Sequence, residues 1–580
     1  MKKVFKNSLF VLSLSALLAP SITSCSSSSE YDTYVYVLNA EDYIDDSLIT
    51  SFEDEVFERD NKKVKIVYET YDTNETMYNT LKTGKQTYDA ICCSDYMIQR
   101  LAREGLVDSF QQAFDDGLLD NYRNNVSPYL ATYDGEDSGK LNQIEVKTLD
   151  GTDKLSNYAI GYMWGTLGIL YNPELIYSRN YNVFSSDERT KDLSEEDSIS
   201  YIIENFNSLD GWSALWDPLY KGTQSIKDSM RDTYAVGIME LYKDYFLPTS
   251  GKYLSNYNDR NDKFNSCDDD TIKGVQDELI RLKGNIFGFE VDSGKDDIVT
   301  KKIGVNIAWS GDAVNSIGRG YYADDDWEEV RDESDMVNLY YTIPKLGANV
   351  WFDAWCAPKQ DEGYYESDEY RYAMEFLDYL NDPTNACANM SYNGYTSFIG
   401  SNSEDDLSVL AYTLYCYDLR EEGDEPLDDY DTYDLSYYFN FVDENGQPLT
   451  ELTITAYDPL ADTEEEGLEA DGREFTFTDE DGDGRLDIIL ATDLTSYEGR
   501  SLVAQYPKTQ DINNLYVMRD FKDKNDAIVS MWENVKVNPL PAWVVATLLV
   551  FLIGGLSYLG SYPLIRKYKL KKRKELRKAN

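Results

Sequence analysis

From residue 31 to about residue 400, short β-like runs alternate with stretches of helical periodicity, and that alternation restricts the region to the α/β class. Residues 34–38 are apolar and aromatic and stop at Asn39. Residues 47–58 carry Leu48, Phe52 and Val56 at helical spacing, and residues 64–68 alternate as a strand does. Asn74 is placed to cap a helix running through Leu81, with Glu75 favourable in its first turn. Residues 88–92 read as a strand and 96–104 as a helix. Strand, helix, strand at this spacing is the βαβ unit of a packed α/β domain. Two stretches break the rhythm. Residues 182–210 are polar and read as a surface insertion. Residues 401–500 are strongly acidic, with β-like runs at 437–442, 452–457, 474–478 and 487–491, and read as a small β-rich insertion. Residues 523–537 then return to helical spacing.

Both ends point to a membrane. Met1-Lys2-Lys3, an apolar run over 9–19 and then Ile22-Thr23-Ser24-Cys25 have the form of a secretory signal. The last four residues resemble the lipobox of bacterial lipoproteins, in which the cysteine is lipidated and becomes the new N-terminus; the four serines at 26–29 then read as a tether. Residues 542–565 are free of charge. As a helix rising about 1.5 Å per residue they would span about 36 Å, against a hydrocarbon core of about 30 Å. The basic tail from Arg566 to Lys578 would stay cytoplasmic, leaving the bulk of the chain outside. The expected layout is a signal peptide (1–24), a lipidated tether (25–30), an α/β domain (31–400), the acidic insertion (401–500) and a return to the domain (501–537). A transmembrane helix (541–565) and a cytoplasmic tail (566–580) complete it. The protein would sit on the extracellular face of the cell membrane.

Composition removes several functions. With 106 acidic and 54 basic residues the net charge is −52, the wrong sign for a nucleic-acid partner. The chain has no histidine, so His-based acid–base catalysis, Ser-His and Cys-His nucleophiles and His-ligated zinc are all excluded. The seven cysteines form no CxxC pair and read mostly as buried thiols. No G-x-x-x-x-G-K-[ST] pattern occurs, so ATP hydrolysis by that route is absent, and no catalytic constellation is expected.

A series of blocks in order carries a family resemblance. They are Tyr71-Asp72-Thr73-Asn74-Glu75-Thr76-Met77-Tyr78; Tyr88-Asp89 leading to Ser94-Asp95-Tyr96; YAIGYMWG over 158–165; and Trp212-Ser213-Ala214-Leu215-Trp216 followed by Tyr220-Lys221-Gly222. Asp228-Ser229-Met230-Arg231-Asp232, Trp309-Ser310-Gly311 and Trp351-Phe352-Asp353 follow. Residues 31 to about 400 and about 501–537 thereby resemble the spermidine/putrescine-binding proteins of ABC importers. The resemblance implies a type II periplasmic-binding-protein fold, two α/β lobes with the ligand between them. It also implies a permease and an ATPase as partners. The cleft positions it carries over are Tyr43, Ser94, Tyr96, Asp232, Trp309, Trp351, Asp353 and Tyr395. Three departures add candidates: Ala40-Glu41 replaces the family's Trp-Thr pair, Asp95 replaces a Thr, and Ser229 replaces a ligand Asp but has Asp228 beside it. The chemistry agrees. Ammonium groups seek carboxylates, methylenes seek apolar walls, and Trp and Tyr give both a wall and cation–π attraction.

A second candidate site lies in the insertion. Asp479, Asp481, Asp483 and Asp487, with Gly484 for the turn, form a run resembling calcium loops, without the Glu that closes an EF-hand. A structural calcium bracing the insertion is the expectation. It allows an alternative function, a calcium-braced adhesion or sensory protein on the same fold. Deleting 401–500 would be expected to leave ligand binding intact.

Overall fold

The computed structural model describes residues 30–537 except 85–86, 134–137, 292, 324–328, 401–407, 421–429, 440, 444–446, 458–472 and 481, together with 550, 567 and 569–571. The signal, Cys25 and nearly all of the 541–565 run lie outside the described residues. Among the described residues no helix is long and apolar enough to cross a membrane.

Eight strands form the spine: β1 (Thr33–Ala40), β2 (Val64–Tyr71), β3 (Ala90–Ser94), β4 (Ile160–Tyr171), β5 (Gln224–Lys227), β6 (Gly288–Glu290), β7 (Val305–Trp309) and β8 (Ala348–Pro358). Their order is β2-β1-β3-β8-β4-β7-β5-β6. β1 pairs parallel with β2 and β3, and β5 pairs parallel with β6 and β7, giving one parallel group for each lobe. The long antiparallel strands β4 and β8 run between them: β8 meets β3 through Asp353–Cys356, and β4 meets β7 through its second half. Every residue of β4 is buried, as expected for a strand covered on both faces. The two-lobe α/β architecture is therefore built on two shared strands.

Local chemistry explains the elements. The Asp46–Asp60 helix begins where the Asp45 carboxylate accepts the Ser47 N–H, and it buries Leu48, Ile49, Phe52 and Val56 as its spacing indicated. The next helix, Asn74–Thr83, is capped by Thr73, whose hydroxyl accepts the Thr76 N–H, rather than by Asn74. Asn74 instead donates to the Ser94 hydroxyl at 3.0 Å, tying this helix to the end of β3. The 182–210 stretch is less superficial than its polarity suggested. Its Glu195–Phe206 helix places Phe206 against Tyr171 of β4 and against Tyr220, with ring centroids 4.8 Å apart in both cases.

The 401–500 region holds the Ser408–Tyr417 helix and two antiparallel strand pairs, Asp431–Asp434 with Ile489–Thr492 and Glu451–Thr455 with Glu474–Thr478. Within the expected strand at 437–442, residues 437 and 438 lie in a turn and only Val442 makes a β-bridge, with Pro448, because the backbone bends to insert Tyr438 into the core. The Tyr438 ring stacks on Trp164 of β4, its hydroxyl donates to the Ser397 and Ile399 carbonyls at 2.6 and 2.9 Å, and its own carbonyl accepts from Ser127. Tyr433 donates to the Tyr506 carbonyl at 2.6 Å. The acidic region is thus fastened to the α/β body by buried tyrosines, and its removal would open the core. The deletion expected to spare ligand binding would not do so cleanly. After it, Leu515–Val517 pairs parallel with β8 and Asn525–Lys536 is a helix, whose last carbonyls accept from the Lys283 ammonium.

Candidate functional site

Three strand-to-helix turns deliver the site. β3 ends at Ser94, where the Asp95–Glu104 helix starts; β7 ends at Trp309, where Ser310–Tyr321 starts; and β5 ends at Lys227, followed by Ser229, whose hydroxyl caps Met230–Leu241. The carboxyl ends of parallel strands are where α/β sheets place ligands. β8 crosses the same space with Trp351 and Asp353 at its middle, and its register shifts at Asp353/Ala354.

Asp353 is the centre. Tyr43 donates its hydroxyl to Asp353 Oδ2 at 2.9 Å, whereas Oδ1 is buried with no hydrogen-bond partner among the described residues. Burial pushes this carboxyl up to about 6, with Ser94 and Tyr43 pulling the other way and the Asp232 charge adding to the rise. The Tyr395 ring stands edge-on to both Tyr43 and Trp351, with centroids 5.4 Å apart in each case. The Trp351 indole N–H is likewise buried without a partner. Asp232 is buried, which raises its pKa, while Ser229 and the Trp309 indole offset part of the rise. A buried carboxylate oxygen and an indole N–H left open inside an aromatic box form a site built for an external polar group.

The structure therefore brings together Tyr43, Ser94, Asp232, Trp309, Trp351, Asp353 and Tyr395. It treats the other four candidates differently. Tyr96 reaches the cleft, but the Arg231 guanidinium lies 3.4 Å from its ring centroid and takes a face expected for ligand. Asp95 is buried and accepts the Phe352 backbone N–H at 3.1 Å, bracing β8, and burial pushes its carboxyl up to about 8. Glu41 is exposed at the turn after β1. Asp228 faces away: it accepts from the Trp532 indole at 3.1 Å and pairs with Lys536 at 3.2 Å, joining lobe two to the C-terminal helix.

Sequence reasoning missed three residues. Lys227, only 1% exposed, places its ammonium 3.0 Å from Asp312, 3.4 Å from Glu290 and 4.3 Å from the Trp309 ring centroid. The available signal was positional, since Lys227 and Glu290 end adjacent parallel strands and Asp312 lies in the first turn after β7.

Gly311 governs the fit of Tyr395, because a Cβ there would lie 2.3 Å from its ring. Gly311→Ala is expected to displace that wall, weakening ligand binding about tenfold or more and lowering the melting temperature as the buried ring is forced aside. Calorimetry and thermal denaturation of the variant check this.

The calcium expectation is not supported by the loop's geometry. Asp479 accepts the Gly482 and Gly484 N–H groups at 2.8 and 3.0 Å, Asp487 accepts from Glu480 at 2.7 Å, and Asp483 accepts from Arg485 at 2.9 Å. These carboxylates close the turn, and Asp481 lies outside the described residues. Among the described residues no group of three acids or thiols converges as a metal site. The described cysteines are free thiols, four of the six buried.

Residues 1–189 match the family model described as hypothetical lipoprotein (MG045 family). The putrescine-binding periplasmic protein SpuD of Pseudomonas aeruginosa is 24% identical over 370 residues, covering 64% of this chain and 79% of that protein. The spermidine/putrescine-binding periplasmic protein of Escherichia coli is 23% identical over 333 residues, covering 57% and 70%. Among solved structures, the spermidine/putrescine ABC transporter substrate-binding protein of Streptococcus pneumoniae is 22% identical, covering 63% of this chain and 84% of that one, with a TM-score of 0.40. The chain thus matches the lipoprotein family over its first 189 residues, and it is related in sequence to periplasmic proteins named for binding putrescine and spermidine.

Proposed function

We propose that this protein is a carrier, not an enzyme: it captures a polyamine between its lobes and delivers it to the permease and ATPase of an ABC importer. The observation that carries this reading is the open Asp353 oxygen inside the box of Tyr43, Tyr395 and Trp351, with Asp232 close enough to raise its pKa. A carboxylate in that setting attracts an ammonium through a charge-assisted hydrogen bond, and the rings attract both the charge and the methylenes. Closure of the lobes excludes water and strengthens these contacts. The relatives named for binding putrescine and spermidine support the ligand class. In this reading Cys25 is lipidated and 542–565 spans the membrane, so the carrier stays beside its transporter and the local concentration of loaded protein is high.

The pH dependence tests the carboxylate directly. A cationic ligand binds the ionised form, and the Asp353 carboxyl titrates at about 6. Affinity should therefore be full above pH 7 and fall as pH drops through 6, about tenfold by pH 5. Equilibrium dialysis of the full-length, detergent-solubilised protein against labelled putrescine reads both the stoichiometry and this slope. One equivalent per chain with the loss at low pH is expected; no retention, or retention independent of pH, would contradict the assignment.

A further inference from the structure

Lys227 is a buried ammonium in a position that a ligand ammonium could itself occupy. It ends β5 at the carboxyl edge of the lobe-two parallel strands, lies against the face of Trp309, and is held by Asp312 and Glu290. That cluster is continuous with the aromatic box. The second oxygen of Asp312 accepts the Tyr395 hydroxyl at 3.0 Å, and the Tyr395 ring is the wall shared by Tyr43 and Trp351. A second protein cation, Arg231, covers Tyr96. Two of the aromatic walls are therefore already matched to charges of the protein itself. Among the described residues Asp232 and Asp353 make no ion pair, and these two carboxylates remain for a ligand.

We infer that Lys227 is a resident ammonium filling one charge position of the cleft, and that it makes the site selective for a diamine over triamines and tetramines. This inference rests on the polyamine reading above and deepens it. Two ammonium groups separated by methylenes satisfy Asp353 and Asp232. A third, extended along the cleft toward Trp309, meets a like charge in a water-poor space, where repulsion is strongly felt, and finds its carboxylates already taken. Specificity here comes from a repulsive element rather than from an added attraction. Replacing the lysine by methionine removes that repulsion and leaves Asp312 and Glu290 without a cation, so a longer polyamine reaching toward Trp309 meets unpaired carboxylates rather than a like charge.

Calorimetry on the full-length protein in detergent, with putrescine, spermidine and spermine, tests this on the wild type, Lys227→Met and Lys227→Arg. The wild type is expected to bind putrescine at least tenfold more tightly than spermidine. Lys227→Met should reverse that order, with spermidine also raising its melting temperature more than putrescine does, whereas Lys227→Arg should keep the diamine preference. Spermidine binding to the wild type as tightly as putrescine, or an unchanged preference in Lys227→Met, would overturn the inference while leaving the polyamine reading intact. If Lys227→Met fails to fold without ligand, refolding in spermidine but not in putrescine supports the inference, and refolding in neither overturns it. Absence of heat with all three amines on the wild type overturns the polyamine reading, and this inference with it.

Discussion

Asp353→Asn is expected to weaken polyamine binding roughly a hundredfold, about 3 kcal/mol, without destabilising the unliganded protein. The two effects would separate because, in the proposed reading, the carboxylate serves the ligand and not the fold. Its Oδ1 has no hydrogen-bond partner among the described residues, and burial, only partly offset by Ser94 and Tyr43, pushes its pKa up to about 6. The folded state therefore holds a proton on Asp353 that the unfolded chain releases nearer pH 4, so this group's contribution to stability falls as pH rises from about 4 to 6. At pH 7 the fold carries a poorly compensated charge. Asparagine keeps the shape and can still meet the Tyr43 hydroxyl, so the melting temperature of the apo protein should equal or exceed that of the wild type. Calorimetry beside thermal denaturation at pH 7.5 reads both quantities. Lost binding together with a lowered melting temperature would instead make Asp353 a structural residue.

The largest stability effect is expected at Tyr438, far from the ligand. Tyr438→Ala should cost about 4 kcal/mol, seen as a lower urea midpoint, because it empties a fully buried volume against Trp164. Tyr438→Phe keeps the ring and removes the hydroxyl, leaving the Ser397 and Ile399 carbonyls short of a donor; it should cost about 1–2 kcal/mol. The ordering matters because Trp164 lies in β4, one of the two strands that cross between the lobes. If the acidic region were an independent module, Tyr438→Ala would melt only that region and leave the α/β body at its original midpoint. A single shifted transition is expected.

These residues show where sequence is informative. Helices and strands of the first lobe are legible because each has its own period and its own cap, and the errors there are one-residue matters, such as Thr73 rather than Asn74 at a helix start. Residues at the cleft centre were legible through aligned blocks: Asp353 and Trp351 come from one motif, Trp309 from another. The turn at 437–438 was not, since the alternating pattern over 437–442 fits a strand and only the distant Trp164 explains why the chain bends. Asp228 and Lys227 were hardest. They are adjacent at one strand end, yet Asp228 turns to the C-terminal helix and Lys227 turns to Asp312. That division depends on Trp532 and Asp312, 304 and 85 residues away, which no local pattern encodes.

The account rests on one claim, that the cleft between the lobes holds a polyamine through Asp353. Isothermal titration of the full-length protein with putrescine at pH 7.5, repeated with Asp353→Asn and Trp351→Ala, tests it most directly. Saturable heat with one site per chain, lost in Asp353→Asn and strongly reduced in Trp351→Ala, is the expected result. Binding that persists unchanged in both variants would move the site elsewhere, and no heat with the wild-type protein would contradict the claim itself.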